Sequence, residues 1–152
     1  MANALFSSLG LAWNLSHPNL DESYLGTDYE LLQTNPTRVR ENIEKFLDQP
    51  SPLVPDSQGN ITLEIKGFEF IYPYQELTTV RDVISAIAAI MQTDLVESNE
   101  PDITYEQLGE WSYDQYPGHP VKFYDLLGDN LYFEALSSFG RPRGHYEIGT
   151  GS

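Results

Sequence analysis

The sequence predicts one α+β domain, in which about three helices pack against a small, mostly antiparallel sheet. Residues 60–65 alternate apolar and polar side chains, and residues 68–72 alternate again after a Lys66-Gly67 pair. This period of two is typical of half-buried strands. Residues 79–95 then carry one apolar stripe at helical spacing. Two strands followed by such a helix form a core, and we expect the rest of the chain to pack around it.

Gly67 stands where the strand alternation changes phase. A slip of one residue would turn the second apolar set to the opposite face of the sheet. Either Lys66-Gly67 forms a tight hairpin turn within residues 60–72, which we prefer, or Gly67 makes a bulge in one long strand. Pro73 should end the second strand, because proline has no amide proton to donate to a ladder.

The helix predicted over residues 79–95 has a cap and a buried face. Thr78 or Thr79 suits the N-cap, and Asp82 suits the first turn. The residues expected to be buried are Val80, Val83, Ile84, Ile87, Ile90 and Met91. Their spacing predicts a helix that packs against the sheet.

Another helix is predicted over residues 36–48. Asn35 suits its cap, and Pro36 suits the first helical position. The helix should end before Pro50, because proline cannot continue it. Its expected buried residues are Val39, Ile43, Phe46 and Leu47.

The C-terminal part has weaker patterns. Residues 121–127 are compatible with either strand or helix. A third helix is predicted over residues 130–139 from an apolar face at helical spacing, with Gly140 just past its end. That face consists of Tyr132, Ala135, Leu136 and Phe139.

Three parts of the chain follow from these patterns: an apolar segment or arm over 1–33, an α+β core domain over 34–140, and a basic, Gly-rich tail over 141–152. The first part either completes the core or lies on a neighbouring subunit. The composition of the last part favours a flexible tail unless a contact holds it.

Composition excludes several classes of protein. The absence of cysteine excludes disulfides, thiolate catalysis and Cys-ligated zinc. The first residues lack the positive charge of a secretory signal, and no apolar run approaches the roughly 20 residues of a membrane span. We therefore expect a protein of the cytoplasm or of a virus particle, with no membrane contact.

The formal net charge is −15. Such a charge either keeps the protein soluble or attracts a basic partner, and it argues against direct binding to nucleic acid. Many acids fall within residues 94–114, which form either a binding face or a solvated surface. The aromatic residues that follow either plug the core or contact another protein.

No catalytic or cofactor-binding motif is present in the sequence, and the histidines are scattered. We therefore expect no cofactor and no metal site. Asp114 and His119 are the candidates for acid–base chemistry, and an enzyme would also need a positioned nucleophile or polarising group.

The sequence thus favours a non-enzymatic structural or interaction subunit of a larger homo- or hetero-oligomeric assembly, such as a phage neck, tail or baseplate. An acidic inhibitor or immunity-type protein, acting as a nucleic-acid mimic against a basic partner, is the alternative, and a small hydrolase is third. The residues expected to contact partners are Leu5, Phe6, Trp13, Glu100, Asp102, Glu106, Trp111, Tyr113, Tyr116, Arg141 and Arg143.

Overall fold

The computed structural model describes residues 4–5, 11–17, 23–25, 28–94, 122–127 and 130–151. Within these residues the chain forms a small, single-domain α+β fold, as predicted. The strands are β1 (Ala4–Leu5), β2 (Leu11–Ala12), β3 (Tyr24–Leu25), β4 (Asn60–Ile65), β5 (Phe68–Pro73), β6 (Tyr132–Ser137) and β7 (His145–Gly151). The α-helices are α1 (Tyr29–Thr34), α2 (Pro36–Leu47) and α3 (Val80–Met91).

The main sheet has the strand order β1-β6-β7-β4-β5. Only the pairing of β4 with β7 is parallel among these described strands, and the other pairs are antiparallel. β2 and β3 form a separate two-stranded ribbon. The sheet is therefore mostly antiparallel, as the sequence predicts, and β7 occupies its centre.

One face of the sheet forms the core. Ile61, Leu63 and Ile65 of β4 have at most 1% of their surface exposed, and they share one apolar cluster with the buried sides of α2 and α3. Every residue predicted to be buried on these two helices is buried. The predicted caps are also confirmed, because the Asn35 and Thr79 side chains accept backbone hydrogen bonds at the helix starts.

Lys66-Gly67 forms the hairpin turn, and the bulge alternative is wrong. Ile65 lies opposite Phe68, so only two residues separate the strands. Lys66 has a φ of 51° and Gly67 a φ of 90°. Two consecutive positive φ angles are the geometry of the tight turns that match strand twist.

The helix predicted over residues 130–139 is wrong, because this segment contains β6. A register shift between Phe133 and Ala135 marks a bulge in its pairing with β7. The bulge interrupts the alternation, so the buried residues of β6 are Phe133, Ala135 and Leu136. Tyr132 and Phe139, the two ends of the predicted helical face, are exposed, so their helical spacing from Ala135 and Leu136 does not reflect a buried face.

The domain itself holds the C-terminal segment, because residues 145–151 form the central strand β7, so the flexible tail favoured by composition is wrong and the held alternative is confirmed. Tyr146 and Ile148 are buried on its core side. Residues 121–127, left open between strand and helix, contain a 3-10 helix over Phe123–Leu127. The ring of Phe123 packs edge-on against Phe68 and Phe70 of β5.

Candidate functional site

The face of the sheet opposite the core carries a group of interacting charged side chains. Directly opposed residues on neighbouring strands share a face. The strand registers therefore place six side chains together, and we call this set the polar face: Thr62, Glu64, Glu69, Ile71, His145 and Glu147.

Glu64 is the centre of the polar face. Only 7% of its surface is exposed, although it is a carboxylate in the middle of β4. Its Oε1 atom accepts a hydrogen bond from Arg141 Nη1 at 2.8 Å, and His145 Nε2 lies 2.8 Å from the same oxygen. These two side chains supply the partners that a buried carboxylate needs.

Arg141 links two strands through one guanidinium group. Its other terminal nitrogen, Nη2, donates to Glu147 Oε2 at 2.7 Å. Arg141 is held in the connection between β6 and β7, where its backbone N–H donates to the Ser138 carbonyl. One guanidinium thus contacts both Glu64 and Glu147, and Glu69 adds a third carboxylate nearby.

Glu69 approaches the centre from β5. Its Oε2 atom lies 3.7 Å from His145 Nε2. One ligand atom from each of Glu64, Glu69 and His145 lies within 4.8 Å of the other two. The arrangement combines an imidazole with two carboxylates, which is a donor set that can hold a cation.

The outer edge of β5 lies beside this cluster. β5 is the last strand in the order of the main sheet. Because Ile65 and Phe68 are paired across the hairpin, Glu69 and Ile71 direct their backbone groups away from β4. Ile71 is 64% exposed. Among the described strands, none pairs with this edge.

A cavity of about 540 Å³ lies on the helical side of the molecule. Its lining includes Ile43 and Leu47 of α2, Ile84 and Ala88 of α3, and the indole of Trp13. Trp13 is buried, and its Nε1–H has no hydrogen-bond partner among the residues that the structure describes. The volume lies within the range of small-molecule pockets.

Four of the contact residues predicted from the sequence belong to the described part of the chain. Leu5 lies in β1 opposite Leu136, and Trp13 lies in the core, where its ring packs at 6.0 Å from that of Phe133. Arg141 pairs with acids of the polar face, and Arg143 donates to the Pro55 carbonyl at 3.0 Å. Both arginines therefore contact their own chain.

The other predicted contact residues lie outside the described residues. They are Phe6, Glu100, Asp102, Glu106, Trp111, Tyr113 and Tyr116, and the acid–base candidates Asp114 and His119 lie outside as well. Of the acidic run 94–114, the structure describes Asp94, which pairs with Lys122.

Sequence reasoning missed the group formed by Glu64, Glu69, His145 and Glu147. Glu64 occupies a polar position of the β4 alternation, so the sequence carries no local signal of its burial. The hairpin places Glu69 opposite Glu64. His145 follows Glu64 by 81 residues, and the parallel pairing of β7 with β4 brings it and Glu147 to this place.

Comparison of the chain with family models, with curated proteins and with solved structures gave no match. Within the described residues, no helix combines the length and the apolar character that a bilayer crossing requires.

Proposed function

We propose that this protein is a non-enzymatic interaction subunit that associates with a second copy of itself through the outer edge of β5. The observation that carries this proposal is Ile71, which is 64% exposed on that edge. A strand edge with unpaired backbone groups is a template for pairing with another strand. An exposed branched apolar side chain there adds contact area to such pairing.

The edge of β5 is suited to pairing with itself. Glu69 and Ile71 flank Phe70 symmetrically, and both direct their backbone groups outward. An antiparallel pair centred on Phe70 would place Glu69 of each copy opposite Ile71 of the other. A two-fold axis satisfies both halves of this contact at once, as isologous interfaces require.

The structure also limits the length of this pairing. Pro73, at the end of β5, has no N–H group to donate. At its other end β5 begins directly after the Lys66-Gly67 turn. The paired stretch is therefore short, and we expect association that depends on protein concentration in the micromolar range or above.

Net charge sets the expected salt dependence. Each copy carries a formal charge of −15, so two copies repel one another. Salt screens this repulsion, with a Debye length of about 10 Å at 0.1 M. Self-association should therefore strengthen as salt rises.

The test is light scattering coupled to size-exclusion chromatography, over a range of protein concentrations at low and high salt. We expect a dimer that grows with concentration and salt in the wild type, and a monomer for Ile71→Lys. Val54→Lys is the control, because Val54 is 43% exposed but lies in a loop away from β5. A wild-type monomer under all conditions, or an unchanged dimer in Ile71→Lys, would overturn the proposal.

The same measurement separates this function from the acidic-inhibitor alternative. An inhibitor that binds a basic partner through charge should bind more weakly as salt rises, and it has no need of self-association. Within an assembly, a place in a virus particle stays a proposal, as do the contacts predicted for Phe6 and for the acidic and aromatic residues of 100–116.

A further inference from the structure

We infer that Glu64, Glu69 and His145 form a binding site for a divalent transition-metal ion of the Zn²⁺ type. This inference does not require the proposed self-association, although Glu69 belongs to both surfaces. The three ligand atoms are Glu64 Oε1, Glu69 Oε2 and His145 Nε2, and they come from three adjacent strands of one sheet.

The distances from His145 to the two carboxylates are close to those of a tetrahedral zinc site. His145 Nε2 lies 2.8 Å from Glu64 Oε1 and 3.7 Å from Glu69 Oε2. Two ligand atoms that bind zinc at about 2.0–2.1 Å are about 3.3 Å apart in a tetrahedron. The two distances from His145 lie on either side of this value, and all three ligand atoms lie within 4.8 Å of one another.

The donor set selects the class of ion. An imidazole nitrogen suits Zn²⁺, Co²⁺ and related ions, whereas Ca²⁺ takes six to eight oxygen ligands. Three protein ligands leave a fourth position for water. Glu69 is half exposed at 52%, so an ion can reach the group from solvent.

Charge also favours a cation at this place. Glu64, Glu69 and Glu147 carry three negative charges, and Arg141 supplies one positive charge. The three carboxylates exceed the one arginine by two negative charges, which a divalent ion cancels.

Arg141 would hold the ligands in place. Its guanidinium contacts Glu64 Oε1 at 2.8 Å and Glu147 Oε2 at 2.7 Å, so it fixes the carboxylate that stands at the centre of the group. Outer partners of this kind orient metal ligands and contribute to affinity. The strands β4, β5 and β7 fix the backbone positions of the three ligands in the absence of an ion.

The experiment is calorimetric titration of the tag-free, chelator-treated full chain with ZnCl₂, followed by the visible spectrum of the Co²⁺ complex. We expect one ion per chain, a tetrahedral Co²⁺ spectrum, and little competition from excess Mg²⁺ or Ca²⁺. His145→Ala and Glu69→Gln should each weaken binding by at least about tenfold, since each removes a direct ligand.

Glu134→Gln is the matched control, because Glu134 is an exposed acid on β6, outside the group. It should bind the ion as the wild type does. Circular dichroism will report whether His145→Ala misfolds. Glu69→Gln keeps the test valid in that case, because it replaces only the carboxylate of a half-exposed side chain. Absence of saturable binding, or equal affinity in Glu69→Gln and Glu134→Gln, would overturn the inference.

Discussion

Leu63 and Glu64 are neighbours on β4, and both are nearly inaccessible to solvent, yet they are buried by different means. Leu63 is 0% exposed and lies in the apolar cluster shared with α2 and α3. Glu64 is 7% exposed and is covered by Arg141 and His145. Burial of apolar surface stabilises a fold directly, whereas burial of a carboxylate costs free energy unless its partners are in place.

This difference separates the two faces of one sheet by role. The core face can be built from any apolar residues that fill the space. The polar face requires particular groups at particular positions, because each charge depends on another. Such an arrangement adds little to the free energy of unfolding, and its main effect is to hold the charged atoms at fixed positions.

The largest effect should come from the core face. Leu63→Ala removes a fully buried side chain and leaves a cavity, so we expect it to lower the free energy of unfolding by about 2–5 kcal/mol. Thr62→Ala is the matched control on the polar face, with an expected cost below about 1 kcal/mol. Urea denaturation measures both. Equal costs would contradict the division of the sheet into two faces.

Much of the core face could be predicted because its signals are local. The stripe of α3, the Asn35 and Thr79 caps and the Lys66-Gly67 turn each lie within a few residues of sequence. The strand β6 escaped prediction because its bulge at Phe133/Ala135 breaks the period of two. A bulge depends on the partner strand, which no local window contains.

The strand β7 escaped prediction because its glycines resemble those of a linker. In the fold they permit close backbone approach. A Cβ on Gly144, which directly precedes β7, would lie 2.6 Å from the backbone nitrogen of Asp56, and one on Gly149 within β7 would lie 3.3 Å from the Ala135 carbonyl oxygen. The charged group of the polar face could not be predicted for the same reason, since His145 and Glu147 join Glu64 and Glu69 only when β7 pairs with β4.

An intermediate effect should come from the polar face itself. Arg141→Met removes the cation that pairs with Glu64 and Glu147, so we expect a loss of about 1–3 kcal/mol of unfolding free energy. The value lies below that of a fully buried pair because Arg141 is 30% exposed and solvent screens it. Urea denaturation at low salt is the measurement.

A double variant tests whether the loss comes from the unpaired carboxylate of Glu64. Adding Glu64→Gln to Arg141→Met neutralises this carboxylate, so the double variant should be more stable than the sum of the two single changes predicts. Strict additivity would show that Glu64 and Arg141 are not coupled.

The smallest effect should come from a polar cluster that is local in sequence, the capping box of α3. Burial raises the pKa of Asp82, but hydrogen bonds from Thr79 and Thr78 outweigh it and hold the pKa below its ordinary value of 3.8. A lowered pKa in the folded state stabilises the protein above the unfolded pKa, and this contribution is lost as pH falls through the folded value. Asp82→Asn should therefore lower the free energy of unfolding by up to about 1 kcal/mol near neutral pH, and this loss should shrink below pH 3.8.

The control is Asn35→Ala, which removes the cap of α2 without removing a carboxylate. Its loss of about 1 kcal/mol should not change with pH in the same urea series. If the two variants showed the same pH dependence, the charge of Asp82 would not contribute to the cap. The capping box would then stabilise α3 only through its hydrogen bonds.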